Sequence, residues 1–424
     1  MKRRHFVKKS TSFSLGMSLA GLSGITSAGS RKIRNNAMKK NNVDARTYLN
    51  SILYTKKEID DWLSGKAFPF SKYHSEFGWL LPNACFRDGI DDSVSVYTYA
   101  DNQGERLMSN YKDGPCRINT YGDSFTQCHQ VSDHETWQEI LAAHLQEPVR
   151  NYGIGGWSVY QAYLRMLKEE KRHPAGYIIF NIYEDDHKRN LDAWRNIRVH
   201  KHPQHIEAPL PYLKVNISEN RVIPCKNPCP TEGSLYDLCD LDKAYQLFKD
   251  DFVLNIMIAH QNAEEKNTSN PYQTLSDLIK THGITTEIDE SRTISEEAER
   301  IHLTAAFFSS QYLMDKIIEF AGKENKKMLF VLSYSGNSVA GYIEKGVRFD
   351  RSFIDYLEKK NLTYIDLLKV HAADYKKYKS DLETYISQYF IGHYNPLGNH
   401  FCSFSLKDTL VNMLDPKPMA YRSL

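Results

Sequence analysis

From Arg117 onward the chain alternates between β-prone runs and stretches with helical periodicity. Five such runs occur: "RINTY" to residue 121, "VRNYGI" to 154, "YIIFNIY" at 177–183, "KMLFVLSY" at 327–334 and "LTYIDLL" at 362–368. Helical patterns lie between them. Ser132-x-x-Glu135 forms a capping box before "TWQEILAAHLQ", and "WSVYQAYLRMLKEEK" and "ERIHLTAAFFSSQYLMDKIIEFAGK" place apolar residues at helical spacing. "NHFCSFSLKDTLVNML" closes the chain as a further helix. Strands alternating with helices predict an α/β fold, a three-layer α/β/α sandwich around a five-stranded parallel sheet. Ligand sites in such sheets lie outside the carboxyl ends of the strands.

The rest of the chain is organised around this core. Residues 1–28 read as a signal peptide: a basic "MKRRHFVKKS", an apolar "FSLGMSLAGLSGI" and small residues before a cleavage point after Ala28. Arg3-Arg4 with His5-Phe6-Val7-Lys8 is similar to a twin-arginine export signal. Its apolar run is short and rich in Gly and Ser, and nothing else in the sequence approaches the roughly 18 apolar residues of a membrane span. An exported protein, periplasmic or secreted, with no stable membrane span after signal removal is the expectation. Residues 29–115 form a polar leader and an N-terminal cap, and 116–424 the α/β domain. That domain carries an insertion at about 187–295, after the third strand and on the site side. Within it "PYLKVNISENRVI" predicts a hairpin and "DKAYQLFKDDFVLNIMIAHQ" a helix.

The balance of 54 basic against 52 acidic residues lacks the basic surplus of a nucleic-acid binder. Seven cysteines are too few for a disulfide-stapled scaffold, although Cys225-x3-Cys229 with Cys239 could hold one bridge. His200-x-His202-x-x-His205 has metal-ligand residue types but no helix to fix their geometry. His134-Glu135 lacks the second His of a metalloprotease helix. No metal or other cofactor is expected. Asp374 and Asp381 read as the polar face of a helix over "AADYKKYKSDLETY".

Chemistry concentrates where the first run stops, at Gly122-Asp123-Ser124. A serine at the carboxyl end of a strand can act as a nucleophile if a base and oxyanion donors reach it. No Gly-x-Ser-x-Gly elbow occurs, which excludes the α/β-hydrolase corner. The base candidate is His393 in "YFIGHYNPLGNHFCS", on a loop before the last helix. Gly122-Asp123-Ser124 resembles block I of the SGNH/GDSL hydrolase superfamily, "NYGIGGWS" (151–158) resembles block II, and "GHYNPLGNHF" resembles the final block. The resemblance covers roughly Arg117 to Asp186 and Lys327 to Leu414. It implies a flavodoxin-like sheet, Ser124 as nucleophile, His393 as base, and the N–H groups of Ser124 and Gly156 as oxyanion donors.

Two positions depart from the pattern. The family's block III carries an Asn oxyanion donor, and here Glu184 stands at its place, with Asn181 three residues earlier. An ionised Glu cannot donate a hydrogen bond, whereas a protonated one could. The family's acid precedes the histidine by two or three residues, where this chain has Ile391 and Phe390. Either a Ser124–His393 dyad operates, or Asp186, Glu184 or Asp185 orients His393; the same acidic run also fits a solvated loop paired with Lys188 and Arg189. The function expected is an exported serine esterase that removes a small acyl group from a carbohydrate. Acyl transfer to a polysaccharide and a non-catalytic carbohydrate-binding relic are the alternatives. A small-molecule or polysaccharide ester is the expected partner.

Overall fold

The computed structural model describes residues 43–100, 104–202, 205–265 and 272–422; the expected signal peptide lies outside them. Seven strands build one sheet: β1 Tyr99–Ala100, β2 Glu105–Arg106, β3 Ile118–Tyr121, β4 Arg150–Asn151, β5 Tyr177–Tyr183, β6 Lys327–Ser333 and β7 Tyr364–Asp366. Their order is β7-β6-β5-β3-β4-β2-β1. The strands β3 to β7 are mutually parallel and are the five runs read from the sequence. Numbered among themselves they run 2-1-3-4-5, the flavodoxin-like order, whose switch point falls between β3 and β5.

Two further strands extend the expected five. They come from the segment read as a cap and pair antiparallel, β1 with β2 and β2 with β4 through Arg106 and Asn151. The cap is thus continuous with the sheet and covers what would be a bare edge at β4. β5 and β6 share seven paired positions, and the Ile178–Phe180 and Leu329–Leu332 stretches are at most 2% exposed. Strands buried on both faces have no need of polar alternation, which is why their sequences are near-continuous apolar runs.

The helices that position the site are α1 Ser124–Gln127, α2 Trp137–Leu145, α3 Val159–Arg172, α4 Asp186–Arg189, α5 Ile294–Lys323, α6 Gly336–Lys345 and α7 Pro396–Met413. Capping decides where several begin. Ser158 and Gln161 form the capping box of α3, and Thr293 and Glu296 that of α5. The Ser132–Glu135 box instead closes a short 3-10 turn, and Thr136 caps α2.

The insertion contains the expected hairpin, Tyr212–Asn216 with Arg221–Cys225. Its expected single helix is two, Leu241–Phe248 and Phe252–Glu265, because the Asp251 carboxylate accepts from Leu254 N at 2.8 Å and starts a new helix. The "AADYKKYKSDLETY" helix is likewise split. Asp381 caps Leu382–Tyr389 rather than lying on a polar face. All seven cysteines are free thiols, so the bridge considered among Cys225, Cys229 and Cys239 is not formed. Among the described residues no helix is long and apolar enough to cross a membrane.

Candidate active site

β3 ends at Gly122 because nothing larger fits. A Cβ there would lie 2.3 Å from Thr126 Oγ1 and 2.8 Å from the Asn181 carbonyl oxygen. The chain turns tightly, Asp123 caps α1 by accepting from Phe125 N at 3.0 Å, and Ser124 opens the helix at the switch point. The Gly153–Gly156 loop after β4 packs on α1. A Cβ on Gly153 would sit 2.2 Å from Gln127 N, so that glycine is set by the approach of two backbones.

His393 arrives from the other end of the chain. A tight turn brings Phe390 and Tyr394 into a β-bridge, with Ile391 N donating to the His393 carbonyl at 2.9 Å. Behind it, His371 hydrogen-bonds the Tyr385 and Tyr394 hydroxyls at 3.0 and 2.8 Å, and Asn395 caps α7. His393 Nε2 thereby stands 2.8 Å from Ser124 Oγ. Phe125 packs against the imidazole with ring centroids 5.1 Å apart, and Tyr183 stacks on Phe125 at 4.8 Å.

The third partner is neither absent nor acidic. Gln130 Oε1 accepts from His393 N at 2.7 Å and lies 3.2 Å from His393 Nδ1. Because that oxygen takes a backbone N–H, and Gln130 Nε2 donates to the Asp88 carbonyl at 3.0 Å, the amide's orientation follows from its network. An acceptor at Nδ1 places the imidazole proton there and leaves the Nε2 lone pair facing Ser124. Gln130 itself adopts a left-handed φ of 72°, its N–H donating to Tyr97 Oη at 2.7 Å. Tyr97 in turn donates to Asp88 Oδ2 at 2.7 Å. The fully buried Arg106 holds the same loop through the carbonyls of Gln127, Cys128 and Val131 and the Asp133 carboxylate. The cap therefore supplies the residues that fix the third member.

The acidic run after β5 does other work. None of Glu184, Asp185 and Asp186 hydrogen-bonds His393. Asp186 Oδ1 accepts from Arg189 Nη1 at 2.7 Å and Oδ2 from Tyr183 N at 3.0 Å, and Asp185 pairs with Arg189 and Arg198. Glu184 accepts from Ser335 N at 3.3 Å, turned toward the start of α6 and not toward Ser124. Its burial raises its pKa. The expectations that one of these acids orients His393, and that Glu184 serves as an oxyanion donor, are both corrected. The expected pairing with Arg189 is present, but the run is not a solvated loop, Asp186 being 1% exposed and Arg189 6%, and Lys188 pairs with Glu299 instead.

This buried ion network reaches the serine. Asp123 Oδ2 lies 3.2 Å from Ser124 Oγ and 3.6 Å from Arg189 Nη1, and Asn181 Nδ2 approaches Asp123 Oδ1 at 3.4 Å. Burial, partly offset by Arg189, raises the Asp123 pKa. Burial and the neighbouring Asp123 charge push Asp186 well above the usual carboxylate range. Among the described residues the Gly156 N–H has no partner, while its carbonyl accepts from Arg195 Nη1 at 3.0 Å.

Burial above all keeps His393 neutral. Burial, then the nearby His129 and Arg189, hold its pKa well below the ordinary imidazole value. His129 packs edge-on to it at 4.9 Å, and burial drives the His129 pKa down to about 3. A neutral imidazole with its Nε2 lone pair on a serine hydroxyl can accept that proton as the oxygen attacks.

His200, His202 and His205 do not converge. His200 bonds Tyr48 Oη at 2.6 Å, while His205 Nε2 meets Glu207 Oε1 at 2.9 Å. No cluster of His, Cys, Asp and Glu suited to a metal is found among the described residues.

No family model matches the chain, and no curated protein matches it. Solved structures do. A protein assigned to the G-D-S-L lipolytic family from Desulfitobacterium hafniense DCB-2 is 11% identical, with a TM-score of 0.30, over 69% of this chain and 100% of its own. The acetyl xylan esterase AlAXEase is 13% identical, with a TM-score of 0.33, over 69% and 99%. A Lactobacillus plantarum protein is 12% identical, with a TM-score of 0.28, over 71% and 99%.

Proposed function

We propose that the chain is a serine-dependent ester hydrolase of the SGNH/GDSL type, with a Ser124–His393–Gln130 triad. The 2.8 Å contact between Ser124 Oγ and His393 Nε2 carries this reading. Two residues separated by 269 positions meet at the switch point of the sheet, with the imidazole held neutral. Ser124 Oγ attacks the acyl carbon as its proton passes to Nε2. The tetrahedral oxyanion collapses and expels the alcohol, which takes the proton back from Nε2. Water then repeats the sequence on the acyl-serine and releases the carboxylic acid. Gln130 keeps the Nδ1 proton in place and accepts more strongly from the transient imidazolium, as an amide can in place of a carboxylate. The N–H groups of Ser124 and Gly156 are the assigned oxyanion donors.

A small acyl group on a carbohydrate is the substrate class this reading favours. The signal-like leader and the Phe125 and Tyr183 rings stacked beside His393 support it. The test is hydrolysis of 4-nitrophenyl acetate by the purified chain beside Ser124→Ala and His393→Ala. Turnover lost in both variants, with a serine-directed phosphonate labelling Ser124, is the expected result. Equal turnover in Ser124→Ala removes the nucleophile and the reading with it. Product analysis with an added sugar acceptor separates hydrolysis from acyl transfer.

A further inference from the structure

Three arginines follow one another along the segment after β5, and two are saturated. Arg189 is paired with Asp185 and Asp186, and Arg198 with Asp185 and Asp192 at 2.8 and 2.9 Å. Arg195 is not. No carboxylate comes within 4.0 Å of it among the described residues, and its Nε is buried without a partner. Its one hydrogen bond runs from Nη1 to the Gly156 carbonyl. Asp185 is committed to Arg189 and Arg198, and Glu207, the main negative charge acting on Arg195, gives Oε1 to His205 and makes no hydrogen bond to the guanidinium. A part-sequestered guanidinium with donors left unsatisfied is completed most favourably by an anionic ligand that accepts from them.

Its place in the wall of the site gives that vacancy a meaning. Arg195 rests against Gly156, the assigned oxyanion glycine, so closely that a Cβ on Gly156 would lie 2.5 Å from Nη1. Trp79 packs against the same glycine, 3.2 Å from that Cβ position, and donates to the Gly155 carbonyl at 3.1 Å. Phe70 would be 3.7 Å from a Cβ on Gly155, and stands 5.1 Å from His129, itself 4.9 Å from His393. A chain of packing contacts thus links Arg195, through Gly156, Gly155, Phe70 and His129, to the His393 imidazole. The imidazoles along it add no charge of their own near neutral pH, burial holding His129 at about 3 and His202 at about 4.

We infer that Arg195 binds an oxyanionic substituent of the substrate, a carboxylate or a sulfate on the sugar that bears the acyl group. A guanidinium offers paired N–H donors matched to such groups, and tethering by Gly156 reduces the freedom it must lose on binding. This inference rests on the ester-hydrolase reading for its substrate, but its test does not depend on turnover.

The experiment measures binding by calorimetry to Ser124→Ala protein, in which no ester is consumed. Three probes are compared: O-acetylated methyl glucoside, its uronic acid counterpart and its 6-sulfate. At low ionic strength at least one anionic probe should bind about tenfold or more tightly than the neutral one, and added salt should erode that margin. Arg195→Gln in the same background should abolish the margin and Arg195→Lys retain part of it, with thermal unfolding confirming that each variant is folded. The better anionic probe identifies carboxylate or sulfate. Equal affinity for all three probes overturns the inference, without recourse to any variant. So does a margin that survives Arg195→Gln, or a wild-type profile in which Arg195→Gln lowers kcat equally for every ester while KM ratios stay fixed. Anion preference in a chain whose wild type hydrolyses none of the probes would sink the hydrolase reading and leave the anion site standing.

Discussion

In the proposed triad His393 works through Gln130, and pH dependence is where the consequence is to be measured. Burial, with the Arg189 guanidinium nearby, depresses the His393 pKa, so the competent neutral form persists below the ordinary imidazole value. In the wild type kcat/KM should stay level through neutral pH, with its acid limb falling below about pH 6.5. Gln130→Glu places a carboxylate at Nδ1, favours the imidazolium and moves that limb to higher pH. Gln130→Ala leaves the ring free to rotate and should lower kcat about 10²-fold; an unchanged kcat would rule out the amide as a third member. Ser124, Gly122 and His393 were legible in the sequence because strand-end chemistry leaves short local motifs. Gln130 was not, because it lies 263 residues from the histidine it serves and is neutral. The one hint was negative: Phe390 and Ile391, where an acid was expected, build the turn, Phe390 being 7% exposed and packed against His371 and Tyr394. Arg195 left no trace either, since an arginine's lack of a partner is a property of three-dimensional neighbours.

The loop over 127–133 shows how an element is held when its own backbone cannot hold it. It contains two non-glycine residues with positive φ, Cys128 and Gln130, and its carbonyls are bound by Arg106 from β2 rather than by a helix or sheet. Arg106→Met removes the donors and leaves Asp133, 4% exposed, without its ion pair. The expected cost is about 3–5 kcal/mol, checked by urea unfolding. Activity should fall in the fraction that remains folded, because Gln130 is released; a folded variant with full kcat would show that the staple serves stability alone. The strands and most helices were legible because apolar runs and helical spacing report burial directly. Helix ends were less so. Asp251, Asp366 and Asp381 each fall inside a periodic stretch, yet each side chain captures backbone N–H groups and starts a helix there. Periodicity carries no mark of such a capture, so two predicted helices were each split and "LTYIDLL" ended as a strand at Asp366.

At the scale of the whole molecule, many neutral histidines are buried, and acid should unfold it through them. Burial holds His129 and His371 at about 3 and His187 at about 4. In the unfolded chain each returns to about 6.5. Between those values the unfolded state binds more protons, so stability falls as pH falls from about 6.5, by about 1.4 kcal/mol per pH unit for each such group. Asp251 acts in the opposite sense. Burial raises it to about 7, so between its unfolded value and pH 7 the folded state holds a proton that the unfolded state lacks. Asp186, raised by burial and by Asp123, adds to that opposition. The histidines outnumber these acids, and the net effect is loss of stability on the acid side. Urea midpoints measured from pH 7.5 down to 5 should therefore decline. Asp251→Asn keeps the helix cap and removes the opposing proton. It should raise the midpoint at pH 7.5, where the wild-type carboxyl is ionised at a cost, and steepen the decline toward pH 5. A flat wild-type curve would mean that the histidines are hydrated in solution. An unchanged slope in Asp251→Asn would place that carboxyl in contact with water.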